Sequence, residues 1–191
     1  MGLCLNPSKC EVISHPDLQI AIQTLLSFTT VSVADATLLE APLFPGTVLD
    51  DTWMAHCEDV KWAVDRLTLL KSQDALLLLR VSCSMPRVQH LLCCLPLVDH
   101  PLLDSFDGYL RLALSHISNT YISDMQWLQA SLPIKHDGLG IIRVCLVALS
   151  AFLATAASTL GLQLQILSAT SCSTDTVFDS YLSVWQAVQK G

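Results

Sequence analysis

Residues 51–67 read DTWMAHCEDVKWAVDRL, and this stretch decides the fold class. Its apolar residues recur at alternating spacings of four and three: Trp53, Cys57, Val60, Val64 and Leu67. That period places them on one face of an α-helix, and such a face must be buried against another element. Asp50 and Asp51 precede the stripe, and we expect one to cap the helix while the helix dipole favours the other. Without an aromatic hairpin before them, they do not read as a catalytic Asp-Asp pair.

The same helical period recurs along the chain. A longer helix is predicted between Leu102 and Ile117, with Asp99 as its cap. Further helices are predicted over residues 18–28, 73–83, 124–130 and 176–190, the first with Asp17 as its N-cap. Another helix is predicted to start at Ser84-Met85-Pro86, with Ser84 as its cap and Pro86 in its first turn. A loop is predicted from Pro133 to Gly140. The sequence therefore predicts a mainly α fold, a bundle of five to seven helices.

A short β element is predicted in the first 45 residues. Residues 10–13 suit a strand that follows a turn at Asn6-Pro7. Residues 31–33 and 37–39 suit two strands of a hairpin around residues 34–36. Pro42, Pro45 and Gly46 then interrupt any regular element, so we place a boundary between residues 1–45 and a helical bundle over residues 46–191.

Several blocks stand out between Gly2 and Leu167. In chain order they are GLCLNPSKCE (2–11), LLEAPL (38–43), DALLLLR (74–80), WLQASLP (127–133), GLGI (138–141) and ALSAFLA (148–154). In their residues and in their order along the chain, these blocks resemble the part of retrotransposon-type reverse transcriptases that follows the catalytic hairpin. The resemblance implies a fragment of an RNA-directed DNA polymerase, with residues 1–45 as the end of the palm and residues 46–191 as a thumb- or connection-like bundle.

The chain departs from the family at functional positions. The aromatic-x-Asp-Asp hairpin of the family, which holds divalent metal, would lie before Gly2. We therefore expect this chain to be inactive as a polymerase by itself and to need no cofactor, with Mg²⁺ required only by a full-length family member. Glu40 stands where the family has the glycine of LLGAPL. The resemblance suggests Lys9 as a general acid toward pyrophosphate, but without metal-binding aspartates a solvated lysine at a strand start is the preferred interpretation.

Composition restricts the partners. The formal net charge is −7, charged residues make up 14% of the chain, and mean hydropathy is +0.50. An autonomous nucleic-acid surface would need clustered Lys and Arg, so RNA or DNA contact is expected only within a full-length polymerase. No nucleophile, glycine-rich phosphate loop or other small-molecule motif is evident. The start of the chain has no signal-peptide pattern, which predicts an intracellular, cytoplasmic or nuclear protein with reduced cysteines.

The densest cluster of potential metal ligands is His90-x-x-Cys93-Cys94, with His100 following. Adjacent helical residues point about 100° apart, so Cys93 and Cys94 do not readily serve one tetrahedral site. We interpret these cysteines as small buried hydrophobic residues beside a surface histidine, and we predict no metal site.

Residues 144–174 carry no charge for 31 positions, long enough to span a bilayer. A polar seam at helical spacing favours a helix buried in the bundle; it consists of Thr155, Ser158, Thr159 and Gln163. We expect this helix to bury Leu149, Phe152, Ala156 and Leu160. The alternative is a helical protein-interaction module, self-associating or membrane-associated, without polymerase function; its apolar surface would then serve a partner.

Overall fold

The computed structural model describes residues 6–13, 28–167 and 176–190. The fold is mainly α, 71% helical with a short N-terminal β element, which confirms the predicted fold class. Of the helix predicted over 18–28, all but Phe28 lies outside the described residues. The chain forms two compact units, Met1–Thr52 and Trp53–Gly191.

The described residues of the first unit form four short strands. Strand β1 (Glu11–Ile13) pairs in parallel with β2 (Thr29–Val31), and β3 (Thr37–Leu38) pairs antiparallel with β4 (Ala41–Pro42). The predicted hairpin around residues 34–36 is wrong, because Val33–Asp35 forms a 3₁₀ turn. The Ser32 hydroxyl accepts from the Asp35 amide at 3.2 Å and donates to the Asp35 carboxylate at 2.7 Å, which holds the turn.

The hairpin instead closes at Leu39 and Glu40. Both residues of this two-residue loop have positive φ, 51° at Leu39 and 67° at Glu40. Positive φ at both loop positions is the geometry of a type I′ turn, which matches the twist of the flanking strands. Glu40, the position where the resembling family has glycine, therefore adopts a conformation that favours glycine.

Helix α1 runs from Thr47 to Leu67 and crosses the division between the two units. The five apolar residues of its predicted stripe are all buried. The capping prediction is wrong: the helix begins about one turn earlier, where the Leu49 and Asp50 amides donate to the Gly46 carbonyl at 3.0 and 3.2 Å. Asp50 nevertheless lies in the first turn, where the helix dipole favours a negative charge.

The described part of the second unit continues with six further α-helices, so the total of seven falls within the predicted range. Their bounds are α2 (Ser72–Leu78), α3 (Met85–Cys94), α4 (Pro101–Ser118), α5 (Asp124–Ser131), α6 (Val144–Leu167) and α7 (Thr176–Lys190). A π-helical turn, Leu79–Cys83, continues α2. Helix α6 packs against α3, α4 and α7, and α2 packs against α4. Trp53 and Phe106 meet edge to face at 6.0 Å in the core beneath α1 and α4.

Helix starts differ in detail from the predictions. Asp99 does not cap α4: it has a φ of 55°, and His100 is the N-cap, with Nδ1 accepting from the Leu102 amide at 3.4 Å. Ser84 occupies the predicted N-cap position of α3, but its hydroxyl donates to the Arg80 carbonyl at 2.6 Å instead of capping. Because that carbonyl belongs to the π-helical turn, Ser84 ties the two helical segments together.

The described buried residues of helix α6 lie in its first ten positions: Val144, Ala148, Phe152 and Leu153. Phe152 is buried and Leu149 and Ala156 are intermediate, but Leu160 is 40% exposed, so the predicted burial of Leu160 is wrong. With 24 residues, α6 is about 36 Å long and exceeds each helix that it packs against, since α3, α4 and α7 have 10, 18 and 15 residues. Val144–Gln165 is long and apolar enough to cross a membrane, and 22% of its most apolar window is buried.

Candidate functional site

Two of the sequence blocks line one cavity in the second unit, and a third is hydrogen-bonded to the loop that forms its wall. The block 74–80 forms most of α2 and the start of the π-helical turn, the block 127–133 ends α5, and the block 138–141 follows in the next loop. The cavity has a volume of about 390 Å³. Its lining residues are Gln73, Leu76, Leu77, Arg80, Ile134, Gly138, Leu139 and Ile141.

The loop that forms one wall is fixed by its own backbone. The Leu139 and Ile141 amides both donate to the Ala130 carbonyl, at 3.1 and 3.3 Å, and the Gly140 amide donates to the Leu132 carbonyl at 2.9 Å. A Cβ at Gly138 would lie 1.9 Å from the Leu132 carbonyl oxygen, so only glycine fits there. The wall is therefore preformed, as ligand sites usually are.

Arg80 supplies the charge of the cavity. It lies in the π-helical turn, a feature that is frequent at functional sites. Gly140 has a φ of 70°, and a Cβ there would lie 3.1 Å from Arg80 Cδ, so the arginine stem passes close to the glycine backbone. Within residues 6–13, 28–167 and 176–190, no side chain forms an ion pair or hydrogen bond with the Arg80 guanidinium.

A second polar cluster surrounds Asp107 on α4. Its carboxylate accepts from the Val144 amide at 2.7 Å and from the Cys145 amide at 3.2 Å, and Arg143 Nε lies 4.0 Å away. Asp107 thus satisfies two free amides at the start of α6. Burial raises the pKa of Asp107, although hydrogen bonds from Cys145 and the Val144 amide, with the Arg143 charge, act in the opposite direction.

Cys145 is protonated at neutral pH. Burial, followed by its hydrogen bond to Asp107, raises the pKa of this thiol to about 11. A thiol that keeps its proton is a poor nucleophile. The Asp107 cluster therefore anchors α6 on α4 and does not constitute a catalytic dyad.

The residues singled out from the sequence lie elsewhere. Lys9 is exposed at the end of a 3₁₀ turn, Pro7–Lys9, in the first unit. His90 lies 3.9 Å from Cys94 on α3, while His100 caps α4. In the ranges that the structure covers, no group of three or more His, Cys, Asp or Glu is placed to hold a metal ion.

Sequence reasoning missed the roles of Asp107 and Arg80. A signal for Asp107 was present: it lies four residues after Leu103 and three before Leu110, on the buried stripe of α4. A charge at such a position needs a partner. Arg80 ends the apolar run 75–79, but the glycine beside it is 60 residues away in the sequence and gives no local signal.

The cavity is suited to binding and not to acid–base chemistry. Arg80 alone is charged among the described lining residues, and the lining holds none of the His, Asp, Glu, Lys, Tyr or Cys side chains that usually act as general acids or bases. Comparison of the chain with protein-family models, with curated proteins and with solved structures finds no match. Function is therefore inferred from the residues and their geometry.

Proposed function

We propose that this chain is the thumb- and connection-like part of a retrotransposon-type reverse transcriptase, without polymerase activity by itself. The observation that carries the proposal is the order of the blocks between Gly2 and Leu167, which is the order of the resembling family. Two of these blocks, 74–80 and 138–141, line the 390 Å³ cavity, and carbonyls of a third, 127–133, accept hydrogen bonds from the cavity loop, so residues distant in sequence form one packed arrangement. This convergence supports the proposal, because blocks with a shared structural role should occur together.

The absence of activity follows from the requirements of phosphoryl transfer. Nucleotide addition uses carboxylates that hold two metal ions about 3.5–4 Å apart. Asp50 and Asp51 are consecutive residues of α1, and consecutive helical side chains point about 100° apart. In this proposal the metals are held by a hairpin encoded upstream, and Lys9 is a solvated surface residue.

Primer extension tests the proposal. The purified chain, given Mg²⁺ or Mn²⁺, template, primer and nucleotides, should incorporate nothing. The genomic sequence upstream should encode an aromatic-x-Asp-Asp hairpin, and the upstream segment joined to this chain should extend the primer, whereas the upstream segment alone should extend it poorly. Incorporation by the isolated chain would contradict the proposal, whether or not it persists in the Asp50→Ala/Asp51→Ala variant.

A second candidate is a helical interaction module, and the exposed end of α6 favours it. Leu160, Leu162 and Leu164 are 40%, 59% and 52% exposed. Clustered exposed apolar side chains mark protein or membrane interaction surfaces. In this alternative the uncharged helix serves self-association or membrane attachment, and the polymerase resemblance has no functional consequence.

Sedimentation and membrane extraction distinguish the candidates. Self-association that is insensitive to salt and is lost in Leu162→Ser/Leu164→Ser supports the interaction module. The matched control is Leu112→Ser/Leu128→Ser, which changes two exposed leucines on α4 and α5. Retention of expressed protein in the membrane pellet after carbonate extraction would support membrane attachment. A protein that sediments as a monomer and is released from the membrane pellet by carbonate would count against the interaction module.

A further inference from the structure

We propose that the cavity between α2 and the 134–141 loop binds a small amphipathic monocarboxylate, with the carboxylate on Arg80 and the alkyl chain along the leucine walls. This inference is independent of the polymerase resemblance, because it rests on the cavity alone. The occupant is a medium-chain carboxylate, a single negative charge joined to an apolar chain.

The negative end follows from Arg80. Its guanidinium has no ion-pair partner among the described side chains, and Gly140 lets its stem lie along the loop backbone at the cavity wall. A guanidinium offers a planar fork of donors that matches a carboxylate with two parallel hydrogen bonds. The carboxylate would therefore satisfy donors that the described protein groups leave to solvent.

The apolar end follows from the rest of the lining. Leu76, Leu77 and Leu139 face the same space, and Leu77 and Leu139 remain 50% and 43% exposed. Covering such apolar surface favours binding through the hydrophobic effect. The volume of about 390 Å³ falls within the range of small-molecule sites. A nucleic-acid backbone is a poorer fit, since it needs a groove with several cations and this lining carries one.

The test compares three ligands of equal chain length on the full chain. Octanoate, octanol and octylammonium are titrated separately into the purified protein, and binding is measured by calorimetry and by amide chemical shifts. We expect octanoate to bind about ten-fold or more tightly than either of the other two, because only the carboxylate pairs with the guanidinium. The changes in amide chemical shift on octanoate binding should be largest at Leu76, Leu139 and Gly140. Equal affinity for octanol, or no octanoate binding, would overturn the proposal.

Substitutions test whether Arg80 binds the carboxylate and whether Leu139 contacts the alkyl chain. Arg80→Met should weaken octanoate binding about ten-fold or more, and Arg80→Lys should restore only part of it, because an ammonium keeps the positive charge but cannot form the two parallel hydrogen bonds of the guanidinium. Arg66→Met is the matched control: Arg66 stacks on Trp62 in α1 and lies outside the cavity lining, so its removal should leave affinity unchanged. Leu139→Ser should also weaken binding, but Leu146→Ser, an exposed leucine on α6, should not. Unchanged affinity in folded Arg80→Met would refute the assignment of the carboxylate to Arg80.

Discussion

Glu40 occupies a left-handed conformation that costs energy for any residue with a Cβ. Its φ is 67°, in the second position of the hairpin loop between β3 and β4. Glu40→Gly should therefore raise the free energy of unfolding by about 1 kcal/mol, the left-handed penalty less the added freedom of the unfolded chain. Urea denaturation measures the change. Glu58→Gly, at an exposed position inside α1, should instead lower stability by about 1 kcal/mol.

His56 makes stability depend on pH. Burial is the main cause that lowers the pKa of this imidazole below its ordinary 6.5, and the charge of Arg87 lowers it further. The charge of Asp59 acts in the opposite direction. The unfolded chain therefore takes up a proton more readily than the folded one. The contribution of His56 to the free energy of unfolding is therefore complete above pH 6.5, and it is lost as the pH falls from 6.5 toward the pKa of His56 in the folded state.

The His56 prediction is measured as a difference between variants. The stability advantage of the wild type over His56→Gln should shrink between pH 7 and pH 5, in urea denaturation at each pH. His136→Gln removes an exposed loop histidine and should retain the pH dependence of the wild type. An advantage that is constant across this range would show that His56 does not titrate differently on folding.

At the scale of elements, the start of α6 depends on a residue of α4. Asp107→Ala leaves the Val144 and Cys145 amides without their acceptor and Arg143 without its ion pair, so it should cost about 2–3 kcal/mol of stability. Asp107→Asn keeps one acceptor oxygen and should cost about 1–2 kcal/mol. Thermal and urea denaturation measure both. Asp104→Ala, an exposed change on the same helix, should stay within about 0.5 kcal/mol of the wild type.

The loop after α5 is sensitive to the addition of a single methyl group at Gly138. Gly138→Ala would place its Cβ 1.9 Å from the Leu132 carbonyl oxygen, so the loop must move. We expect a loss of about 3 kcal/mol or more and changed amide shifts around the cavity. Gly108→Ala is the matched control, since Gly108 lies inside α4 with open space around its Cα, and it should stabilise the helix by about 1 kcal/mol. Equal effects of the two changes would contradict the loop geometry.

At the scale of the whole molecule, charge limits what the chain binds. With a net charge of −7, we expect no measurable binding to single-stranded RNA or DNA at physiological salt. Fluorescence anisotropy with labelled oligonucleotides measures this. Tight binding by the isolated chain would reveal a basic surface that composition does not predict.

The elements were more predictable than their ends. The stripe from Trp53 to Leu67 was recognisable because helical spacing is local, and all five of its residues are buried. Helix starts were less predictable, since capping depends on small differences among neighbouring residues. Asp50, Asp51 and Asp99 were all suitable caps by type, yet the Gly46 carbonyl and the His100 ring nitrogen accept hydrogen bonds from the first amides of those helices.

The sequence by itself determined the mainly α class and the positions of the long helices, because apolar period and turn residues act over a few positions. Only the tertiary structure decided that Asp107 holds the start of α6, that Arg80 lies beside Gly140, and that the end of α6 is exposed. These features join residues about 40 to 60 positions apart or depend on the relative lengths of packed helices. Their physical basis is long-range packing, which no local pattern encodes.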